Sequence, residues 1–222
     1  MIKVGIDIGN SKISSIVCDI KNDGSKKVLS FICNPTNHVN KSIVTNLVSI
    51  KDEIYKTIND AAKESQTDIK SINLNIPAVE SLSIFSESEI KISGEMINDL
   101  HLKTAVNQSD ILESIENFDV IQYLITGYDI DNKFFPNRPL GTFGNILKVN
   151  FYKYAVKKNF MKTLSYLFES LNIHIENYVP TPLSSALATL NSDDKYLGAI
   201  CIDLGASSSS IAVFENEKIV FM

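Results

Sequence analysis

The sequence predicts a duplicated, mixed α/β fold with a small α+β module inserted into its first copy. Three observations support this prediction. The first third of the chain has the element order β-β-β-α-β. A strand–turn–strand motif from the amino terminus begins again near residue 198. Between about residues 84 and 149, the segments are more polar and follow a different pattern.

The composition is that of a globular protein with one large or two small domains. The 222 residues are 44% hydrophobic and 21% charged, and the net charge is −5. We therefore expect no broad cationic face and no nucleic-acid partner. No secretory signal is recognised, and no apolar run approaches the ~18 residues of a membrane span. The cytoplasm is the expected compartment.

The cysteines and histidines predict no zinc site. They are far apart in the sequence and form no CxxC pair. Cys18, Cys33 and Cys201 are interpreted as reduced core thiols.

The first-copy elements follow from local patterns. Apolar segments at 13–20 and 28–33 flank Asn22-Asp23-Gly24-Ser25, which is typical of a hairpin turn. Residues 50–63 place apolar side chains at helical spacing. The strand Ser71–Ile76 completes the unit.

The inserted segment predicts an alternating strand at 85–92, a helix at 109–118 and a strand pair at 120–126 and 146–154. Ser109 is the expected helix N-cap, with Asp110 and Glu113 in the first turn. Asp129 and Asp131 form an acidic pair that we interpret as turn residues rather than a metal site.

The segments after the insert return to an alternation of helices and strands. Apolar periodicity predicts a helix over 155–171 and a strand that ends at Val179. A helix over 181–190 has Pro182 in its first turn. An apolar strand follows over 196–204.

An offset of 196 residues aligns the two copies of the repeat. It places Asp203 on Asp7, and six positions in the motif are identical: Ile6, Asp7, Gly9, Ser11, Ser14 and Val17 match Ile202, Asp203, Gly205, Ser207, Ser210 and Val213. Each copy is an apolar strand that ends near an Asp, then a tight turn and a second strand.

This motif has the chemistry of a phosphate-binding hairpin. A glycine allows backbone N–H groups to approach phosphate oxygens, and a hydroxyl side chain can donate to them. The carboxylate can hold a hydrated Mg²⁺, which offsets the phosphate charge. One Asp-x-Gly turn is weak evidence, but two in the same context favour a phosphate clamp.

Two opposed hairpins of this kind resemble the actin-like (ribonuclease H-like) ATPase superfamily, and within it the bacterial cell division FtsA family. Residues 4–13, VGIDIGNSKI, are similar to the first phosphate loop of that family, and residues 197–205, LGAICIDLG, to the second. The insert falls where the family has its 1C (SHS2-like) subdomain. Within it, GYDID at 127–131 and PLG at 139–141 resemble the EYxID and NPxGL segments.

The resemblance implies a cofactor site between the hairpins for ATP with Mg²⁺. Asp7 and Asp203 would hold the metal through water. Lys12 could approach the β-phosphate or be an ordinary surface lysine, and both interpretations stay open. The implied cofactor-binding residues are Asp7, Gly9, Asn10, Ser11, Lys12, Asp203, Gly205, Ala206, Ser207 and Ser208.

Departures from the family pattern argue against rapid hydrolysis. Ala206, Ser207 and Ser208 replace Gly, Gly and Thr of the second loop, and Ser210 replaces an Asp. Thr181 occupies the position where active superfamily ATPases have a Glu or Gln that orients water, and threonine cannot act as a carboxylate base. We identify no catalytic residue and expect at most a slow ATPase.

The resemblance also implies domains, partners and a location. Residues 1–81 with 154–190 would form subdomain 1A, residues 82–153 subdomain 1C, and residues 191–222 the start of subdomain 2A. The second half would be truncated, with exposed apolar faces and weak nucleotide binding. The region that binds FtsZ and the helix that binds the membrane would both be missing from this sequence. The 82–153 module would mediate self-association or bind later divisome proteins. The protein would be peripheral on the cytoplasmic face of the inner membrane, at the division site.

Two alternatives share this clamp. A pilus-assembly adaptor of the PilM type has a similar insert. A sugar kinase or Hsp70-like ATPase would need a catalytic carboxylate, against which Thr181 argues.

Overall fold

The computed structural model describes residues 1–41, 43–112 and 115–222, which form mixed α/β layers. Among these residues, no helix combines the length and the hydropathy needed to cross a bilayer. The elements in chain order are β1 (Ile2–Ile8), β2 (Lys12–Ile20), β3 (Lys26–Pro35), β4 (Val39–Asn40), β5 (Ile43–Val44), α1 (Leu47–Ser65), β6 (Ser71–Ile76), β7 (Ser81–Lys91), α2 (Asp99–Leu112), β8 (Phe118–Ile130), β9 (Lys133–Phe135), β10 (Ile146–Lys157), α3 (Lys158–Glu169), β11 (His174–Pro180), α4 (Thr181–Thr189), α5 (Ser192–Leu197), β12 (Ala199–Leu204), β13 (Ser209–Glu215) and β14 (Lys218–Phe221).

The first sheet has five strands in the order β11-β6-β1-β2-β3. The strands β1, β2 and β3 form an antiparallel meander, as predicted, and β6 and β11 join it in parallel. Gly24, with φ +80°, lies in the predicted turn between β2 and β3, where Gly relieves the strain of a positive φ.

Helix α1 covers one face of this sheet. Asn46 caps its first turn by accepting hydrogen bonds from the amides of Val48 and Ser49. Its apolar stripe, which includes Ile50 and Ile54, is fully buried against the sheet. The predicted helix over 50–63 is therefore confirmed and is slightly longer than predicted.

The inserted segment forms a separate four-stranded antiparallel sheet in the order β7-β10-β8-β9. The predicted pairing of 120–126 with 146–154 is present within β8 and β10. Helix α2 packs on this sheet through Leu102 and Ala105. Asp131 stabilises the loop before β10 by accepting hydrogen bonds from the amides of Asn145 and Ile146, in agreement with its assignment as a turn residue. The same assignment is wrong for Asp129, which lies within β8, paired on both sides, and accepts a hydrogen bond from the Asn150 side-chain amide at 2.7 Å.

The helix predicted over 109–118 is wrong. The helix in this region, α2, begins ten residues earlier, and the Asn98 side chain accepts a hydrogen bond from the amide of His101 at its start. Ser109 lies in the last turn of α2 rather than at an N-cap, and Phe118 already begins β8. Glu113 lies outside the described residues.

Two other predicted boundaries are also wrong. Ala155 and Val156 are fully buried residues of β10 rather than the start of α3, because the strand pairing with β7 and β8 continues through them. Tyr196 and Leu197 belong to α5 rather than to β12, since Asn191 and Asp194 form a capping box that starts a short helix.

The third sheet, β12-β13-β14, packs on α4 through Ala212, Phe214 and Ile219. Its other face is apolar and exposed: Ile200, Ile202 and Leu204 are 64%, 58% and 79% exposed. The equivalent residues of the first copy, at an offset of 196, are Val4, Ile6 and Ile8, which belong to the core beneath α1.

The cysteines correspond only in part to the predicted core thiols. Cys18 and Cys201 are partly buried, but Cys33 is exposed. The prediction for Cys33 is wrong because Cys33 shares the exposed face of β3 with Phe31, whereas Ile32 on the other face packs on the core.

Candidate functional site

The first predicted hairpin is a tight turn between β1 and β2. The amide of Gly9 donates a hydrogen bond to the carbonyl of Lys12 at 2.9 Å. A Cβ atom at Gly9 would lie 3.1 Å from that carbonyl oxygen, so the turn favours glycine. Asp7 pairs with Ser14 across the strands, directly before the turn.

The second hairpin repeats this geometry residue by residue. The amide of Gly205 donates to the carbonyl of Ser208 at 3.0 Å, and a Cβ atom at Gly205 would lie 2.8 Å from the same oxygen. Asp203 pairs with Ser210 across β12 and β13. Every one of these positions is offset by 196 from its first-copy equivalent, so the sequence repeat is also a structural repeat.

Polar partners hold the two aspartates. The Ser185 hydroxyl, from α4, donates to an Asp203 carboxylate oxygen at 2.7 Å. The Asn75 side-chain amide, from β6, donates to Asp7 at 3.5 Å. Because α4 also contacts β6, the structure brings β1, β6, α4 and β12 together at one site.

Asp7 and Asp203 interact electrostatically across the site. Burial raises the pKa of Asp7 above its usual range, and the negative charge of Asp203 raises it further. The hydrogen bond from Asn75 and the charge of Lys12 act in the opposite direction. Two carboxylates that repel each other favour a cation between them.

The other predicted site residues lie on the two turns. Asn10 and Ser208 are partly buried, whereas the residues that could reach a ligand from the turn surfaces are exposed. These exposed residues are Ser11, Lys12, Gly205, Ala206 and Ser207. Thr181 is the first residue of α4, the helix that also provides Ser185.

A cavity of about 310 Å³ lies beside Asp7 on the sheet face opposite α1. Asn75 and Ser14 contribute polar groups to its wall, and Ile16 and Phe31 contribute apolar ones. The first hairpin thus adjoins a concave surface of mixed polarity.

Sequence reasoning missed Asn75 and Ser185. A signal existed for Asn75, because β6 alternates Asn73 and Asn75 with fully buried Ile72 and Leu74, which indicates a polar face. For Ser185 the sequence gives no signal, since the contact with Asp203 depends on how α4 packs on β12.

The donor set fits a hydrated Mg²⁺. The carboxylates of Asp7 and Asp203 are hard oxygen ligands, and Mg²⁺ commonly binds through one or two carboxylates while keeping several waters. Within ranges 1–41, 43–112 and 115–222, no group of three or more His, Cys, Asp or Glu side chains could enclose a metal.

We expect Asp7→Asn to raise the melting temperature at neutral pH. Because the folded state raises the pKa of Asp7, its ionised form destabilises the fold, and that cost disappears as the pH falls from the raised value to the ordinary one near 3.8. The advantage of the variant should therefore shrink in acid. Thermal unfolding between pH 3.5 and 8 measures it.

Asp23→Asn is the matched control for this pH dependence. Hydrogen bonds from Ser25 lower the pKa of Asp23, so its ionised form stabilises the fold. This variant should lower the melting temperature at neutral pH, with a difference that also fades in acid. If both variants changed the melting temperature in the same direction, the conclusion that the ionised Asp7 carboxylate destabilises the fold would be contradicted.

Comparison with known proteins agrees with the predicted resemblance. The cell division protein FtsA of Pseudomonas aeruginosa is 24% identical over 216 residues, which cover 97% of this chain and 52% of that protein. FtsA of Streptococcus pneumoniae is 22% identical over 98% of the chain. The chain is similar to FtsA over nearly its whole length. It spans about half the length of the FtsA proteins it matches, and no family model matches it.

Solved structures support the fold class. The PilM–PilN type IV pilus biogenesis complex matches with a TM-score of 0.65 at 13% identity, over 99% of this chain and 60% of that one. The ethanolamine utilization protein EutJ of Carboxydothermus hydrogenoformans matches with a TM-score of 0.53 at 14% identity, over the whole chain and 50% of EutJ. These are proteins of the actin-like ATPase fold, so the predicted fold class is confirmed.

Proposed function

We propose that the chain is the nucleotide-clamp portion of an FtsA-like cell division adaptor, which binds Mg-ATP between its two hairpins. The observation that carries this proposal is the repeated hairpin: Asp7 and Asp203 occupy equivalent strand positions before two turns of the same register, and their charges interact. The similarity to FtsA supports a role in cell division.

In this proposal each residue of the clamp has a role toward the phosphates. Amides and hydroxyls of residues 10–12 and 206–208 donate to phosphate oxygens, while the amides of Gly9 and Gly205 close the turns. Bound Mg²⁺ would offset phosphate charge, and Asp7 and Asp203 orient its water ligands. Lys12, exposed beside the first turn, adds a positive charge. Thr181 provides no general base, so turnover is slow at most.

The domain assignments are part of the same proposal. Residues 1–81 with 154–190 would act as subdomain 1A, residues 82–153 as a 1C module for self-association or later divisome proteins, and residues 191–222 as the start of 2A. Nucleotide binding would favour closure of the two hairpins, and thereby change the contacts of the protein with other copies. The whole protein would organise FtsZ at the cytoplasmic face of the membrane.

A PilM-type pilus adaptor is the second candidate, since the PilM–PilN complex has the TM-score of 0.65 given above. Location in native cells separates the two candidates. A fluorescent fusion to the protein should concentrate at the division site and disperse when FtsZ is depleted. Retention of its pattern after FtsZ depletion, together with loss of pili in a deletion strain, would favour the pilus role instead.

A further inference from the structure

A row of polar side chains along α1 attaches that helix to β3 and to the segment after it. Glu64 accepts a hydrogen bond from the Ser30 hydroxyl at 2.9 Å. Thr57 accepts one from the Asn34 side-chain amide at 3.1 Å. Since residues 53, 57, 60 and 64 share one face of a helix, Glu53 is the next member of the row.

Both carboxylate oxygens of Glu53 contact the segment just beyond the end of β3. One oxygen accepts a hydrogen bond from the Thr36 hydroxyl, and the other lies 2.9 Å from His38 Nδ1. The amide of His38 also donates to the Thr36 hydroxyl at 3.2 Å. Thr36 is 3% exposed, so its hydroxyl group is removed from bulk water.

This segment is also hydrogen-bonded directly to the first hairpin. The amide of Thr36 donates to the carbonyl of Ser11 at 3.0 Å, one residue beyond the Lys12–Pro35 pair of the ladder. Ser11 is inside the turn that the Gly9 amide closes. A short path of hydrogen bonds therefore runs from Glu53 through Thr36 to the backbone carbonyl of Ser11. Neither Glu53 nor Thr36 is among the residues proposed to contact a phosphate.

We propose that Glu53 is a positioning residue for the first phosphate hairpin, which it holds through Thr36. This inference rests on the proposed nucleotide function, because the hairpin has to be preorganised for its amides to meet phosphate oxygens. Without Glu53, the buried Thr36 hydroxyl loses its acceptor and the segment relaxes away from Ser11. The turn then samples other conformations, and binding must reorder it.

The test compares Glu53→Ala with Glu64→Ala in the 222-residue chain. Both variants remove a carboxylate from the same face of α1 and leave a buried hydroxyl without its acceptor: Thr36 is 3% and Ser30 is 2% exposed. Only the first variant breaks the path to Ser11. Titration with a fluorescent ATP analogue and Mg²⁺ should show about tenfold weaker binding for Glu53→Ala and unchanged binding for Glu64→Ala.

Two further variants distinguish loss of the Glu53–Thr36 hydrogen bond from a general loss of folding. Glu53→Gln keeps an oxygen that can accept from Thr36 and should keep most of the affinity. Thr36→Val removes the hydroxyl at nearly constant volume and should weaken binding like Glu53→Ala. Circular dichroism should be unchanged in all four variants.

Hydrogen exchange without nucleotide separates this inference from the proposed function. The amides of Gly9 and Thr36 should exchange about tenfold faster in Glu53→Ala than in the parent or in Glu64→Ala. If the parent binds no nucleotide, the proposed function fails, and the exchange rates alone decide whether Glu53 holds the hairpin. If the parent binds but Glu53→Ala shows unchanged affinity and exchange, the positioning role is overturned while the clamp stands.

Discussion

Replacement of either clamp aspartate, Asp7→Ala or Asp203→Ala, should weaken Mg-ATP binding at least tenfold. In the proposed clamp, each change removes one of the two carboxylates that would orient the water ligands of Mg²⁺, and a tenfold loss corresponds to about 1.4 kcal/mol. The two losses should be similar in size, because the hairpins have the same register and the same turn hydrogen bond. Isothermal titration or a fluorescent analogue over a wide concentration range measures them.

The double variant and the metal dependence sharpen this prediction. If both carboxylates act on one cation, as proposed, the combined loss should be smaller than the sum of the single losses. Removal of Mg²⁺ with a chelator should abolish the difference between parent and variants. Asp23→Asn, in the exposed turn between β2 and β3, is the control and should bind like the parent. Unchanged affinity in both single variants would overturn the clamp.

The largest expected loss of stability is about 3–5 kcal/mol for Phe168→Ala. Phe168 lies on α3 with none of its surface exposed and belongs to the core between α3 and the first sheet. Truncation removes the burial of an aromatic ring and leaves a cavity that the neighbouring Leu164 and Leu167 cannot fill without strain. The free energy of unfolding in urea measures the change.

Tyr166→Ala is the matched control on the same helix. Its side chain is 64% exposed, so the change in the free energy of unfolding should stay within about 0.5 kcal/mol. A comparable loss in the two variants would mean that the face of α3 assigned to the core is wrong.

The sequence predicted most of the elements because each has a strong local signal. The repeat at an offset of 196 predicted both hairpins, and the structure places their turn bonds and strand pairs at that same offset. Strand Ser71–Ile76 and helix α1 follow directly from alternation and helical spacing.

The errors occur where tertiary packing overrides local pattern. Ser109 looks like a cap, but the helix starts at Asp99, after Asn98, and this lets Leu102 and Ala105 pack on the module sheet. Ala155 and Val156 fit a helix by spacing, yet pairing on both sides keeps them in β10. The contact from Ser185 to Asp203 depends only on the tertiary packing of α4 on β12.

Strand β10 has a consequence for how the insert can evolve or be engineered. Neighbouring side chains of this one strand enter three different hydrophobic cores: Phe151 that of the module, Tyr152 that of the third sheet, and Tyr154 that of the first sheet. The segment 82–153 therefore cannot be exchanged by itself, because its last strand continues into the core of the first sheet at Tyr154. A graft from a relative would have to bring compatible residues at positions 151 and 152 and fit the Tyr154 of the host, so the module and its host sheets are constrained to change together.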